Sequence, residues 1–435
     1  MVNSTRHPLY AKADALKCAF LLNDFSLADD GQAPEAETSD WDFCAFQKPA
    51  AIKRKSIILT EGNYILRSEL ITSQLDKLKS PLPIKKIVYG RIYDGNDSCY
   101  PCRTLIEGIV ADRSMDKKEY GRLWDSVVKQ VYGIFAETSL VAIDNDTYQV
   151  KVQLEDDSLI MAYTGKATNV ARTLLGITTA DTDTWVFSID IDDVTIHDCH
   201  LESRKELYNP TVSFLKKYEG ISPVLGNSFA GKAADLLRKH GYMEFSGLKI
   251  YESDCYKKMN MIQESWDRNN NGVQLKEPLG KYTGLPTVLT PALEEALAAN
   301  YKAGEKSVKL FEIGHIFPHN AKGHLSEKLS LSLGAYGPDV NKTSFRKSMD
   351  DFLTELGIRN HFFIPTFLAI AYNTKDCWLI LDETMSYLEG NFGSISQKAL
   401  DNHGIGVQAF MLQLELAPAE AKAAREWAFT PPELT

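Results

Sequence analysis

The sequence predicts an α+β protein made of two strand-rich halves. Three observations carry that expectation. Short apolar runs and strictly alternating stretches recur from residue 56 to residue 381, the mark of strands. Helical spacing shows in fewer segments, and the regular strand–helix–strand alternation of a parallel sheet is missing. The 435 residues suffice for at least two cores, because domains run to roughly 100–200 residues each.

In chain order, the polar, acidic stretch Ala28 to Asp42 reads as a loop, and residues 1–50 are taken as an N-terminal arm. Ser56 to Leu59 is a short apolar run fit for a strand, and Ile84 to Tyr93 and Leu105 to Ala111 read as buried strands. From Glu119 to Phe135, Leu123, Trp124, Val127, Val128, Val131 and Phe135 recur at helical spacing. Tyr148, Val150, Val152 and Leu154 alternate with polar residues, the period of a half-buried strand. Val186 to Ile196 alternates too, with Phe187, Ile189 and Ile191 on one face and Ser188, Asp190 and Asp192 on the other. A boundary is expected near 205–230, around Asn209-Pro210 and Gly220 to Gly226, which makes 51–215 one core and 216–435 the other.

In the second half Thr290-Pro291 supplies a helix start, with Thr as N-cap and Pro at the first helical position, and the helix continues through Leu293, Leu297 and Tyr301. Val308 to Phe317 and Lys328 to Leu333 read as strands. Ser344 to Leu356 is an amphipathic helix that Gly357 can end with positive φ. Phe367 to Tyr372 and Cys377 to Leu381 are further strands. Two strand-rich halves of similar length suggest a pseudo-duplicated layout.

Composition narrows the function classes. A hydrophobic content of 44% and a charged content of 24% are ordinary for a soluble globular chain. No apolar run approaches the roughly 20 residues that span a bilayer, and Met1 to Tyr10 holds no apolar signal core, so a cytoplasmic location and no membrane are expected. The net charge of −10 argues against a broad nucleic-acid face, which needs clustered Lys and Arg. The seven cysteines, odd in number and irregularly spaced, read as reduced thiols.

Leu66-Arg67-Ser68 to Gln74, then Gly90-Arg91-Ile92-Tyr93, then Ile106-Glu107-Gly108-Ile109-Val110-Ala111-Asp112 resemble the catalytic α subunit of phenylalanyl-tRNA synthetase, whose matching runs are "LLRTHTSPVQ", "GRVYR" and "VEGLLVD". Gly165 to Ile177 is similar to its "GMVHPNVLRNVGI". The second half resembles the β subunit. Leu285 to Leu297 is similar to "LRTSLLPGLLEAL", Leu310 to Phe317 to "LFEIGRVF", and Gly393 to Ile405 with Ala409-Phe410 to "GELHP…GI…AFELDL". The pieces keep their order over most of residues 56–415. The resemblance implies two class II synthetase-like antiparallel-sheet cores with flanking helices, an α-like core fused to a β-like core. It further implies an intrachain pseudo-dimer and a homodimer of the whole chain. Nothing in these residues resembles the family's coiled coil or its RNA-binding and editing modules, so tRNA is not expected as a partner.

The resemblance also sets expectations for the site. A synthetase of this class holds the ATP α-phosphate with a motif 2 arginine and the γ-phosphate side with a motif 3 arginine, because the guanidinium fork pairs with phosphate oxygens. Here Asp94 follows Gly90-Arg91-Ile92-Tyr93, and Phe187 to Asp193 replaces "FGMGIER", which puts Asp193 at the arginine. ATP use is therefore doubtful, unless Lys85, Lys86 or Arg103 stands in. The Gln-x-Glu pair that grips the substrate ammonium becomes Leu105 and Glu107. The two ring-stacking phenylalanines fall at Val141 and Ile143, and the small residue that makes room for the ring falls at Val186. With Arg67, Glu69 and Ser188 these define a substrate cleft suited to a smaller amine-bearing ligand than phenylalanine. Arg67 can hold a ligand carboxylate or pair with Glu107.

Other groupings admit more than one reading. Cys99 and Cys102, with Cys199 and His200, have the composition of a Cys₃His zinc site, and a chance loop pairing is the plainer account. Asp190, Asp192 and Asp193 suit Mg²⁺ or a cationic ligand, or are a solvated face. His315, His319 and His324 have metal-like spacing within a polar loop. Mg or Zn are the metals these sets would take. The functional expectation is a phenylalanyl-tRNA synthetase paralogue with degenerate ATP motifs that binds a small amino-acid-like ligand. An ATP-dependent ligase or aminoacyl transferase with a small acceptor, and a genuine phenylalanine–tRNA ligase, stand beside it.

Overall fold

The computed structural model describes residues 8–31, 33–38, 54–60, 63–98, 101–155, 157–177, 182–204, 228–247, 250–252, 254–259, 272–319, 324–366 and 372–429. The chain divides into two compact units, Pro8–Val224 and Leu225–Thr435.

The N-terminal unit opens with α1 (Pro8–Leu21), β1 (Ser26–Asp30), β2 (Ala36–Thr38), β3 (Ile57–Ile58), β4 (Tyr64–Leu66) and the short helices α2 (Leu70–Ser73) and α3 (Leu75–Leu78). The long hairpin β5 (Ile84–Tyr93) and β6 (Cys102–Asp112) follows, then α4 (Lys117–Tyr132) and β7 (Glu137–Ala142). β8 (Thr147–Gln153), β9 (Ser158–Lys166), α5 (Asn169–Leu174), β10 (Asp183–Asp190) and α6 (Ile191–Arg204) complete it. Seven strands form one sheet in the order β1-β5-β6-β10-β9-β8-β7, and β2-β4-β3 form a small second sheet. Only the edge pair β1–β5 is parallel.

Period-two alternation assigns the faces of this sheet. Ile87, Ile106, Val110, Phe187 and Ile189 point to the side packed by α1 and α4, where Leu16, Phe20, Trp124, Val128 and Val131 complete a core. Val88, Ile92, Leu105, Ile109 and Val186 point to the other side, under Leu70, Ile71, Leu75, Leu78 and Ala171. α4 starts where the Asp116 side chain accepts the Glu119 N–H at 2.8 Å, and it stops at Gly133 with φ 95°.

The C-terminal unit repeats the layout. It holds α7 (Phe229–Lys239), β11 (Met243–Glu244), β12 (Tyr251–Glu252), α8 (Cys255–Lys258), β13 (Gln274–Leu279), β14 (Tyr282–Gly284) and α9 (Thr290–Lys302). β15 (Val308–Ile316), β16 (Lys328–Tyr336), α10 (Lys342–Leu356), β17 (His361–Pro365), β18 (Tyr372–Asp382) and β19 (Tyr387–Ile395) come next, then α11 (Gln397–His403), β20 (Ala409–Glu415) and α12 (Leu416–Phe429). Its large sheet runs β11-β15-β16-β20-β19-β18-β17, again with a parallel edge pair and otherwise antiparallel, and β12-β14-β13 form the small sheet. The α+β class and the two antiparallel cores expected from the sequence are present. Among the described residues no helix is long and apolar enough to cross a membrane.

Several local expectations are corrected. Residues 8–30, read as part of an arm, belong to the N-terminal core: Leu9, Ala13, Leu16 and Phe20 of α1 are buried at helical spacing, and β1 pairs with β5. The strand expected through Ile196 ends at Asp190 and continues as α6, because Asp190 caps that helix by accepting the Asp193 N–H at 3.2 Å. α4 stops short of Phe135, which with Ile134 stands out in solvent at 89% and 75% exposure. Thr290 is the first residue of α9 and not its cap, since its hydroxyl contacts Met259 Sδ at 3.9 Å. The expected boundary residues Asn209-Pro210 and Gly220 to Gly226, and residues 367–371 of an expected strand, lie outside the described residues.

Gly108 tests the sheet packing. A Cβ there would sit 2.3 Å from the Phe187 ring and 3.0 Å from Ile87, whereas a Cβ at Gly121 on α4 meets only Leu140 at 3.7 Å. Gly108→Ala is expected to cost about 1–3 kcal/mol by overpacking, and Gly121→Ala to be neutral or stabilising by up to about 1 kcal/mol through helix propensity. Denaturant melts of both variants check this, and equal midpoints would contradict the packing described.

Candidate substrate cleft of the N-terminal sheet

Five strands of the N-terminal sheet place one row of side chains side by side. Glu107 on β6 lies opposite Ser188 on β10, Ser188 opposite Tyr163 on β9, Tyr163 opposite Gln149 on β8, and Gln149 opposite Val141 on β7. This row sits on the face covered by α2. The covered end is buried at Glu107 and Ser188, and the far end is open, with Val141 at 42% exposure. Ile143 follows β7 and is likewise exposed.

At the covered end the candidate residues are already engaged. Glu107 Oε2 accepts the N–H groups of Leu70 and Ile71 at 2.8 and 3.1 Å, and Oε1 accepts the Ser188 hydroxyl at 3.0 Å. The carboxylate thus sits at the first turn of α2, where main-chain donors favour an anion. The Arg54 guanidinium adds an ion pair at 4.0 Å. Arg67 is 1% exposed and spends its guanidinium on main-chain carbonyls: Nε donates to Arg91 at 2.7 Å, and Nη1 donates to Ala33 and Pro34 at 3.0 and 2.9 Å. Through Nε and Nη1 Arg67 staples the segment before β2 to the end of β5, while its buried Nη2 has no hydrogen-bond partner among the described residues. Glu69 is buried at the N-cap position of α2 without bonding that helix's N–H groups. Leu105 and Val186 pack in one apolar cluster with Leu70, Ile71 and Ala171.

The end of the cleft where phosphates are expected is anionic. Asp94 closes β5: its side chain accepts the N–H groups of Asn96 and Lys55 at 2.9 and 3.1 Å, and its own N–H donates to Pro101 O at 2.8 Å. It is a turn-forming aspartate, which explains its presence without a ligand. Asp193 faces Arg103, whose Nη1 donates to Asp193 Oδ1 at 2.9 Å and lies 3.5 Å from Asp190 Oδ2, while Nη2 donates to Asp97 Oδ2 at 3.2 Å. Asp192 Oδ2 accepts the Thr104 N–H at 2.6 Å. The three aspartates form the capped first turn of α6, tied to β6, with Asp193 exposed and Asp190 and Asp192 half-buried. Lys85 and Lys86 are no substitute for the arginines. They pair with Val110 and Ile109 at the opposite end of the hairpin, roughly 26–30 Å along the strand from Asp94 at about 3.3 Å per residue. There Lys85 donates to Asn23 O and Lys86 to Lys77 O.

Protonation follows from this crowding. Burial, then the carboxylates of Asp193 and Asp192, push Asp190 up to about 7, against the opposing pull of Arg103 and the Asp193 N–H. Burial likewise raises Asp192, opposed by the Thr104 N–H and Arg103. Burial works against the Arg103 charge, but Asp190 and Asp193 outweigh it and hold its pKa above the ordinary value.

Of the candidate zinc ligands, Cys102 begins β6, while Cys99 and the side chains of Cys199 and His200 lie outside the described residues. Among the described residues no group of three or more His, Cys, Asp or Glu side chains is arranged to hold a metal ion, His315, His319 and His324 included. His315 instead pairs with Glu327 at 2.8 Å.

The raised Asp190 pKa gives a signed prediction. The folded state holds this proton more tightly than the unfolded state, whose carboxyl titrates near about 3.9. Its contribution to stability is therefore full below about pH 4 and is lost as pH rises to about 7. Asp190→Asn keeps a cap acceptor and cannot ionise. The melting temperature of the variant relative to the parent should rise between pH 4 and pH 8, by about 2–4 °C for each kcal/mol recovered. A difference that stays flat across that range would contradict the assignment.

Comparison with known proteins follows this geometry. Residues 223–416 match the family described as the phenylalanyl tRNA synthetase beta chain CLM domain. Over 215 residues the chain is 23% identical to the phenylalanine–tRNA ligase beta subunit of Clostridium tetani (strain Massachusetts / E88), an alignment that covers 48% of this chain and 26% of that subunit. The chain thus spans about a quarter of that relative's length. A pyrrolysyl tRNA synthetase structure from Desulfitobacterium hafniense is similar at a TM-score of 0.38 and 19% identity, over 49% of this chain and 73% of that one.

Proposed function

We propose that this chain, related to phenylalanyl-tRNA synthetase through the β-chain core domain in its C-terminal unit, has given up aminoacyl-adenylate formation and keeps its N-terminal cleft for a small amine-bearing ligand. One observation carries the reading: Arg103 is divided among Asp97, Asp190 and Asp193. For a triphosphate to enter, that guanidinium would have to leave three carboxylates. Those carboxylates would then face phosphate oxygens. Repulsion between unit charges 4 Å apart is about 4 kcal/mol at an effective ε near 20, and more than one pair would be involved.

The same charges favour a cation. Glu107, Asp97, Asp190, Asp192 and Asp193 border this face of the sheet, against the guanidiniums of Arg54 and Arg103. The covered end is filled by Leu105 and Val186, so the ligand lies toward Tyr163, Gln149 and Val141, where the face opens. The ligand class is a compact amine with an aliphatic or polar tail, in keeping with the loss of both ring-stacking positions to Val141 and Ile143. Transfer to tRNA has no part in this reading.

Amino-acid-dependent pyrophosphate exchange with the purified chain should stay at background for all twenty amino acids. A thermal-shift panel should register amine-bearing compounds and not ATP with Mg²⁺; a ligand at 100 times its Kd stabilises by about 2.7 kcal/mol, which such a melt resolves. Exchange above background with any amino acid would end this reading.

A further inference from the structure

Three adjacent strands of the N-terminal sheet stop together at the end opposite Asp94. β1 and β5 begin there and β6 finishes there, with Ser26 opposite Lys86 and Ile84 opposite Ala111. A cavity of about 300 Å³ opens past these strand ends. That volume stands at the lower limit of the roughly 300–1,000 Å³ usual for ligand sites, so it suits a small molecule. Its lining is charged and hydroxylic, with Asp24, Lys85, Lys86 and Asp112 beside Ser26 and Ser80.

The charges in this cavity are held in place but not matched. Lys85 Nζ donates to Asn23 O at 3.3 Å and lies 3.7 Å from Asp24 Oδ2, a loose pair. Lys86 Nζ donates to Lys77 O at 2.7 Å and to Lys79 O at 3.3 Å, both at the end of α3. Those two carbonyls position the ammonium, yet they leave its charge without a carboxylate among the described residues and one of its three N–H groups for a ligand. The side chains of Lys77 and Lys79 are themselves taken by Asp29 at 3.2 Å and Asp76 at 2.9 Å. Asp112 accepts the Ser114 N–H at 3.4 Å and meets no cation among the described residues. Asp183 lies opposite Asp112 across β10, and Lys166 pairs with Asp183 at 2.5 Å. Lys86 stands opposite Ile109, three residues before Asp112, so the Cα atoms that carry the two unmatched charges are roughly 10 Å apart along the strands.

We propose that this cavity binds a small zwitterion whose carboxylate and ammonium are separated by a short chain, an ω-amino acid. The carboxylate meets Lys86, with the hydroxyls of Ser26 and Ser80 as further donors, and the ammonium meets Asp112. A simple anion would gain Lys86 but face Asp112 and Asp24, and a simple cation would gain Asp112 but face Lys85 and Lys86. An α-amino acid carries its two charges on neighbouring atoms of one short backbone, too close together to serve both ends of the cavity. The site stands apart from the reading of the N-terminal cleft, because no residue is shared.

The probe is 4-aminobutyrate, with butyrate and butylamine as controls that keep one charge each. In a ligand-observed NMR titration of the full chain, 4-aminobutyrate is expected to bind saturably and each control about fivefold more weakly, the worth of one half-exposed ion pair. Lys86→Met keeps the aliphatic stem, Asp112→Asn keeps an acceptor for the Ser114 N–H, and both positions are half-buried, so both variants should fold, which a melting scan checks. Each should weaken 4-aminobutyrate by about fivefold. Selectivity should swing in opposite directions, toward butylamine in Lys86→Met and toward butyrate in Asp112→Asn. Gln149→Ala, in the N-terminal cleft, should leave 4-aminobutyrate binding unchanged. No saturable binding, binding of either control as tight as that of 4-aminobutyrate, or a selectivity that neither variant shifts overturns the proposal. Binding that both cavity variants keep and Gln149→Ala abolishes overturns it as well, and assigns the amine to the cleft.

Discussion

One guanidinium sets the chemistry of the N-terminal unit. Arg103, on the strand that carries Glu107, meets Asp97 from the hairpin turn and Asp190 and Asp193 from the start of α6. In doing so it joins the β5–β6 hairpin to the β10–α6 corner. An arginine held this way is a structural tie. The cap made by Asp190 and the depth at which its carboxyl sits go with that tie.

The rest of the cleft points the same way for a different reason. Glu107 accepts the first N–H groups of α2 and the Ser188 hydroxyl, and Arg67 donates through Nε and Nη1 to carbonyls of Ala33, Pro34 and Arg91. Side chains that the sequence marks as substrate-binding here bond to the protein itself. Apolar packing of Leu105 and Val186 under Leu70 and Ile71 finishes the substitution. What stays accessible is the open side, toward Tyr163, Gln149 and Val141.

Much of this was legible in the sequence, and the failures are instructive. β5 begins and ends where the apolar run does, and α10 ends at Gly357 with φ 105° as its glycine requires. The pairing of Leu9, Ala13, Leu16 and Phe20 at helical spacing was also there to be read, but the acidic stretch after it masked a core helix as an arm. The alternation from Val186 to Ile196 was misleading because a first helical turn with Asp at its cap can copy a strand's polar–apolar pattern for a few residues. The Asp97–Arg103–Asp193 contacts span up to 90 residues and leave no periodic trace. Asp193 was identified through its motif position and Arg103 as a stand-in for the missing arginine, whereas Asp97 carried no signal and the three came together only when the hairpin was folded against α6.

The most direct measurement is calorimetric titration of ATP with Mg²⁺ into the full chain, repeated on Arg103→Ala. If the carboxylates close the phosphate end, neither protein will give saturable heat up to millimolar nucleotide. Saturable binding by the parent that Arg103→Ala destroys would mean that Arg103 leaves its aspartates for phosphate, and the account of this cleft would be wrong.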